Sequence, residues 1–171
     1  MRIVIQRVRE ARVTIAGEYP ETAAADNQQR DSETATESGK RRSIGQGFVI
    51  LLGVCEEDTE EDVDWLVRKV IGLRVFDDEN HVMNRSIMET GGECLVVSQF
   101  TLFASYKKGN RPSWLRAARH EISVPLYELF CRRLSEALGK PVATGEFGAD
   151  MQVSLVNDGP VTICMDSKNK E

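Results

Sequence analysis

Hydrophobic and polar residues alternate across residues 2 to 15, with Ile3 and Ile5 and then Val13 and Ile15 marking one face. That period of two predicts strand over "RIVIQRV" and again over "RVTI", with a short turn between them. A second strand, "GFVILLGV", begins near Gly47. Between the two, residues 20 to 43 contain no Val, Ile, Leu, Met, Phe, Tyr, Trp or Cys. Such a segment cannot bury enough apolar surface to offset its ordering entropy, so it reads as an extended, mobile hairpin loop. Its basic end, Lys40-Arg41-Arg42, reads as solvated.

The period then changes. Val63, Leu66, Val67 and Val70 follow helical spacing, Thr59 suits an N-cap, and Glu60, Glu61 and Asp62 suit the positive first turn, so a helix is predicted over 60–72. A strand over 73–76, an acidic turn, an irregular segment, a Gly91-Gly92 turn and a strand over 94–100 follow. A second helix is predicted over 124–138, capped by Ser123, with Pro125 in its first turn and a stripe of Leu126, Leu129, Phe130, Leu134 and Leu138. Gly139 and Pro141 end it. Three strands, "VATGEF", "MQVSLV" and "VTICM", close the chain. Many strands with two main helices and few strict alternations predict an α+β fold. It would be a single domain over 1–171 with a mixed or mostly antiparallel sheet.

The last two strands are separated by "NDGPVT", residues 157 to 162. Pro160 cannot donate to a ladder, so this point lies outside a sheet interior. Gly159 permits backbone shapes closed to other residues. A hairpin turn and a stretch of backbone presented to a ligand both satisfy these facts.

Composition narrows the function. A net charge of −5 means that any polyanion site is a local patch. The N-terminus alternates like a strand rather than a secretory signal, and "FVILLGVC" is too short to span a bilayer. Cys55, Cys94, Cys131 and Cys164 are scattered, which suits a reducing, cytoplasmic location. Only two histidines are present, so no metal site and no cofactor are expected. G-x-S-x-G, H-E-x-x-H and the phosphate-binding G-x-x-x-x-G-K are absent, and "GQG" at 45–47 reads as a turn.

Three stretches hold candidate chemistry. "SQFTL" puts Ser98, Gln99 and Thr101 at the end of an apolar strand. "SYKKGNRPSWLRAARH" carries Lys107, Lys108, Arg111, Arg116 and Arg119 with Tyr106 and Trp114 interleaved and no acidic residue. Basic side chains contact phosphates and aromatic rings stack on bases. The third is "NDGPVT".

Together with "MRIVIQRV", "IGQGFVILLGV" and "FGADMQVSLVNDGPVT", these stretches resemble the D-aminoacyl-tRNA deacylase family, in the family's order and over the whole chain except 20–43. The polar insert is the main departure, and it leaves both motifs intact. The resemblance implies a barrel-like homodimer that hydrolyses the ester of D-aminoacyl-tRNA; if backbone carbonyls of the Gly-Pro element crowd the face where an L-residue carries its side chain, L-aminoacyl-tRNA is rejected and glycyl-tRNA is accepted. It implies that Gly159-Pro160 is cis and reaches from one subunit into the active site of the other. Ser98, Gln99, Phe100 and Thr101 would line the pocket for the terminal adenosine and aminoacyl group, with Met151 near the Gly-Pro element. Arg7 occupies a matching N-terminal position. Lys107, Lys108 and Arg111 would contact tRNA. Two mechanisms stay open: Thr101 as nucleophile, or water attack with the ribose 2′-OH assisting and an oxyanion hole from backbone N–H near Phe100 and Thr101. The competing class is a non-catalytic RNA- or DNA-binding module using the basic patch at 107–119.

Overall fold

The chain runs β1 (Arg2–Ile15), β2 (Ser43–Ile44), β3 (Gly47–Gly53), α1 (Glu60–Gly72), β4 (Phe76–Asp77), β5 (Met83–Arg85), α2 (Ile87–Thr90), β6 (Glu93–Ser98), a 3-10 turn (Phe100–Phe103), α3 (His120–Leu138), β7 (Ala143–Thr144) and β8 (Met151–Asp166). The computed structural model describes residues 1–15 and 42–171. Apart from Arg42 and Ser43, the loop expected at 20–43 lies outside the described residues. β1 pairs antiparallel with β3 on one side and with β8 on the other, and β2 extends the β3 side at Ala11 and Arg12. β3 pairs parallel with β6, and β6 parallel with β7. The result is an α+β fold on one mixed, barrel-like sheet, with α1 and α3 serving as the two parallel crossovers. A separate small hairpin joins β4 and β5.

The strand period decides where the core lies. Phe48, Ile50 and Leu52 of β3 turn to one face, where they pack with Ile3, Ile5, Val63, Leu66, Phe130 and Leu134 beneath the two helices. Val49 of β3 and Leu95 and Val97 of β6 turn to the other, where they meet Val8 and Val13 and the half-buried Met151, Val153 and Leu155 of β8. Strands buried on both faces read as continuous apolar runs, which is why "FVILL" and "CLVV" lack alternation.

α1 has the predicted bounds, and the Asp62 carboxylate accepts from the Thr59 N–H at 2.8 Å and from Lys168 Nζ at 2.7 Å. Burial pulls the Asp62 carboxyl upward. Hydrogen bonds from Lys168, Ser167 and the Thr59 N–H outweigh that and hold it well below the usual carboxylate range. A depressed folded pKa stabilises above the unfolded value of about 3.9, and that contribution is lost as pH falls through the folded pKa. Asp62→Asn is expected to cost about 1–2 kcal/mol at neutral pH. The deficit should shrink as pH falls below about 4, where the unfolded chain takes up a proton that the native carboxylate still resists. Thermal melts of both proteins at pH 7 and pH 3 check this.

Several predicted elements are corrected. No turn divides "RIVIQRV" from "RVTI"; β1 is one strand whose register shifts near Val8. α3 begins at His120 rather than 124, because Ser123 is not its cap: its hydroxyl donates back to the Arg119 carbonyl at 2.9 Å. Pro125 therefore sits inside the helix. The expected strand over 73–76 is the two-residue β4, and the irregular segment holds β5 and α2, the latter closed by a Ser86–Glu89 capping box. β6 ends at Ser98, since Phe100 opens the 3-10 turn. "VATGEF" contributes only the two residues of β7.

"MQVSLV" and "VTICM" are one strand, β8, and both halves pair antiparallel with β1. Hence "NDGPVT" is not a hairpin. Gln6 pairs with Thr162 and Val8 with Asn157. Only Arg7 separates the first pair of positions, whereas Asp158, Gly159, Pro160 and Val161 separate the second. The surplus leaves the ladder as a bulge, with Gly159 and Pro160 exposed at its tip. The Gly159-Pro160 peptide bond is cis and Gly159 has φ +136°.

Candidate active site

Parallel strands leave their carboxyl ends unpaired where the chain turns away, and ligands settle there in mixed sheets. The carboxyl ends of β3 and β6 open such a cavity, of about 640 Å³. Leu52 at the end of β3 and Val54 just beyond it line one side, and Val97 and Ser98 of β6 line the other. Gln99 still donates its N–H to the Leu52 carbonyl at 2.7 Å, so the sheet carries the chain to the cavity's edge before it turns. The 3-10 turn then projects Phe100, which is 56% exposed. Trp114 meets it edge-on at 5.3 Å.

The turn is held from below. Phe103 is buried, the Arg2 guanidinium lies 4.8 Å from its ring and that of Arg116 lies 5.9 Å away. Arg2 also donates to the Leu102 carbonyl at 3.1 Å. Gln99 Nε2 donates to Thr101 Oγ1, so the two polar side chains of "SQFT" are locked to each other.

The opposite wall comes from α3 and the loop before β8. His120, Ser123 and Tyr127 stand on one helix face, and Phe147, Asp150 and Met151 complete the rim. Phe147 packs edge-on against His120 at 5.4 Å and against Tyr127 at 5.8 Å. Tyr127 donates to the Val96 carbonyl at 2.9 Å, and burial pushes its phenol up, so it stays protonated. Met151 Sδ accepts the Glu146 N–H at 3.4 Å, which fixes the thioether beside the cavity. None of His120, Ser123 and Tyr127 is among the site residues expected from the sequence, where Ser123 figures only as a helix cap. The signal was present, as a polar residue at i, i+3 and i+7 on a helix otherwise read for its apolar stripe.

The structure therefore gathers Ser98, Gln99, Phe100 and Met151 around one cavity, with Thr101 tied to it through Gln99. Lys107, Lys108 and Arg111 do not line it. They are exposed on an arm closed at its base by reciprocal Ser105–Ser113 backbone bonds of 2.8 Å, next to the rim residue Trp114. Gly159 and Pro160 do not line it either.

Their bulge is anchored elsewhere. Arg7, 8% exposed at its side chain, donates from Nε to the Asp158 carbonyl at 2.8 Å. Its NH1 donates to the Val75 carbonyl and lies 3.3 Å from Asp77 Oδ1. Arg9 Nε reaches Asp158 Oδ1 at 2.9 Å. A buried guanidinium needs partners for its donors, and here main-chain carbonyls supply them on both sides. Among the described residues no group of three or more His, Cys, Asp and Glu side chains could hold a metal ion, and no helix is long and apolar enough to cross a membrane.

Residues 4–166 match the family model described as D-Tyr-tRNA(Tyr) deacylase. The D-aminoacyl-tRNA deacylases of Phocaeicola vulgatus and Bacteroides thetaiotaomicron are each 58% identical over 171 residues, covering the whole of both chains. That of Dechloromonas aromatica is 53% identical with the same coverage. A solved structure named c-Myc DNA Unwinding Element Binding Protein is 36% identical at a TM-score of 0.78, covering 97% of this chain and 98% of its own. A second, a probable eukaryotic D-amino acid tRNA deacylase, shares the fold at a TM-score of 0.71 and 16% identity, covering 96% of this chain and 97% of its own. With the match spanning both the "SQFT" turn and the Gly-Pro bulge, the chain belongs to the D-Tyr-tRNA(Tyr) deacylase family.

Proposed function

We propose that the chain hydrolyses the ester of D-aminoacyl-tRNA and that the Gly159-cisPro160 bulge of a second copy selects the D-configuration. Family membership supports the reaction, an ester hydrolysis on a tRNA substrate. The observation that carries the site is the "SQFT" turn at the mouth of a cavity large enough for a nucleoside with an aminoacyl group. Ser98, Gln99, Phe100 and Met151 receive the adenosine and the ester, and Lys107, Lys108 and Arg111 meet the tRNA backbone.

Selection follows from exclusion. In one chain the bulge is exposed and does not line the cavity; in the proposed homodimer the bulge of one copy would meet the cavity of the other. Main-chain carbonyls of Gly159 and Pro160 would then accept from the substrate's α-amino group and fill the side where an L-residue carries its side chain. D side chains point away, and glycine has none to exclude. One site thus takes many D-aminoacyl esters and glycyl-tRNA.

For the chemistry, water adds to the ester carbonyl and the bond to the ribose 3′ oxygen breaks. The proton lost by water reaches the leaving oxygen with help from the neighbouring 2′-OH. The N–H groups of Phe100 and Thr101, at the start of the turn, stabilise the oxyanion. Thr101 is a weak candidate nucleophile: its hydroxyl accepts from Gln99, and among the described residues no base is bonded to it. Thr101→Ala is expected to lose less than about 10-fold in single-turnover rate, well short of the 10²–10³ of a lost oxyanion donor. Near-complete loss would reinstate the nucleophile. Wild-type protein assayed on D-Tyr-, D-Asp-, glycyl- and L-Tyr-tRNA tests the whole reading, and rapid L-Tyr-tRNA hydrolysis would sink it.

The name of the 36%-identical structure favours a second reading, a DNA-binding module built on the basic arm. It predicts nucleic-acid binding with no ester hydrolysis, which the same assay decides.

A further inference from the structure

β8 leaves its ladder with β1 after Asn157 and rejoins it at Thr162. We propose that Asn157 is a positioning residue for stereochemical selection, closing the neck of the Gly159-Pro160 bulge and fixing where its main chain stands. The proposal rests on the reading in which that bulge faces the substrate's α-carbon.

The geometry is that of a staple. Val161 donates its N–H to Asn157 Oδ1 at 2.8 Å. Asn157 Nδ2 donates to the Val161 carbonyl at 3.3 Å and to Thr162 Oγ1 at 3.2 Å. One side-chain amide thus supplies Val161 with the donor and the acceptor that a neighbouring strand would give in an unbroken ladder. Gln6 Nε2 reaches the same Thr162 hydroxyl at 3.4 Å, which ties the staple to β1.

The bulge is therefore held at two points. Asp158 is held by Arg7 through its carbonyl and by Arg9 through its carboxylate. Val161 is held by Asn157. Gly159 and Pro160 lie exposed between these points. Releasing either end lets both carbonyls drift, and Asn157 governs the end nearer Pro160.

The chemistry of the contact selects asparagine. It requires an acceptor and a two-hydrogen donor on one short planar group. Aspartate keeps the acceptor for the Val161 N–H but turns a negative oxygen on the Val161 carbonyl. Alanine keeps neither. Glutamine adds a methylene to a span already closed at hydrogen-bond distance. Exclusion depends on distance more steeply than hydrolysis does, because a few tenths of an ångström admit a methyl group that was previously rejected. L-substrates should therefore gain as D-substrates lose.

The test measures kcat/KM on D-Tyr-tRNA and L-Tyr-tRNA for wild type, Asn157→Ala, Asn157→Asp and Gly159→Ala, with a thermal melt of each. A tenfold or greater fall in the D-to-L ratio for Asn157→Ala, with Asn157→Asp between it and wild type, supports the proposal. A purely structural role lowers both rates together and leaves the ratio alone. An unchanged ratio in the Asn157 variants while Gly159→Ala shifts it overturns the role of Asn157 and keeps the bulge. A ratio unchanged in all three overturns the bulge reading, and the proposal with it. Should Asn157→Ala fail to fold, Asn157→Asp is read by the same criteria.

Discussion

Gly159→Ala is expected to lower kcat/KM for D-aminoacyl-tRNA by about 100-fold, the cost of moving a reacting site by roughly 1 Å. The cause is local. At φ +136° an added Cβ stands 2.8 Å from Val161 Cγ2, 3.1 Å from the Val161 nitrogen and 3.2 Å from Arg7 NH2. The tip would have to move off both of its anchors, Arg7 and Val161. Stability should change far less, because Gly159 is exposed and no core contact is lost; backbone strain of about 1–3 kcal/mol is the main cost. Single-turnover deacylation of D-Tyr-tRNA beside a thermal melt separates the two effects. A folded variant with wild-type rate and selectivity would remove the bulge from the mechanism. Mixing Gly159→Ala chains with chains blocked in the cavity, for example by Ser98→Phe, extends the test to the dimer. If each active site borrows its bulge from the other subunit, the mixture recovers activity that neither variant has alone.

Elements set by local signals were legible in the sequence. α1 was bounded correctly because its cap, its acidic first turn and its apolar stripe all lie within the helix itself. Ser123 and Pro125 together imitate an N-terminus and so move the expected start of α3 to 124, whereas the Ser123 hydroxyl bonds backward to Arg119. The Ser86–Glu89 capping box was there to be read, yet α2 is too short to leave a period. "NDGPVT" exposed a deeper limit. A turn and a bulge contain the same residues, and they differ only in whether the next strand returns to the same partner. That partner is β1, more than a hundred residues away, so no local pattern could decide it. The cavity divides in the same way. "SQFT" was recognised as a unit, but its opposite wall of His120, Ser123 and Tyr127 exists only once α3 packs beside β6.

Gly47→Ala is expected to abolish the native fold or to cost more than about 4 kcal/mol, which only a few mechanisms can produce. The sequence suggested a turn at "GQG", yet Gly47 is paired in register with Glu93 where β3 and β6 begin side by side. A Cβ there would lie 1.8 Å from the Glu93 carbonyl oxygen, 2.6 Å from its nitrogen and 2.7 Å from its carbonyl carbon. All three are main-chain atoms, so no side-chain rotation relieves the overlap. The strands cannot part instead, because Val49, Ile50, Leu95 and Val96 are fully buried just beyond. Gly45→Ala is the internal control, since its Cβ would meet only Glu93 Oε2 at 3.7 Å, and a change within about 0.5 kcal/mol is expected. Urea unfolding of both variants measures the contrast, and equal midpoints would mean that "GQG" is a turn and nothing more. The result also bears on the active site. Gly47–Glu93 fixes the register of the two strands whose far ends, Leu52 and Ser98, form the floor of the cavity. A slip here of even one residue would turn every side chain on that floor to the opposite face.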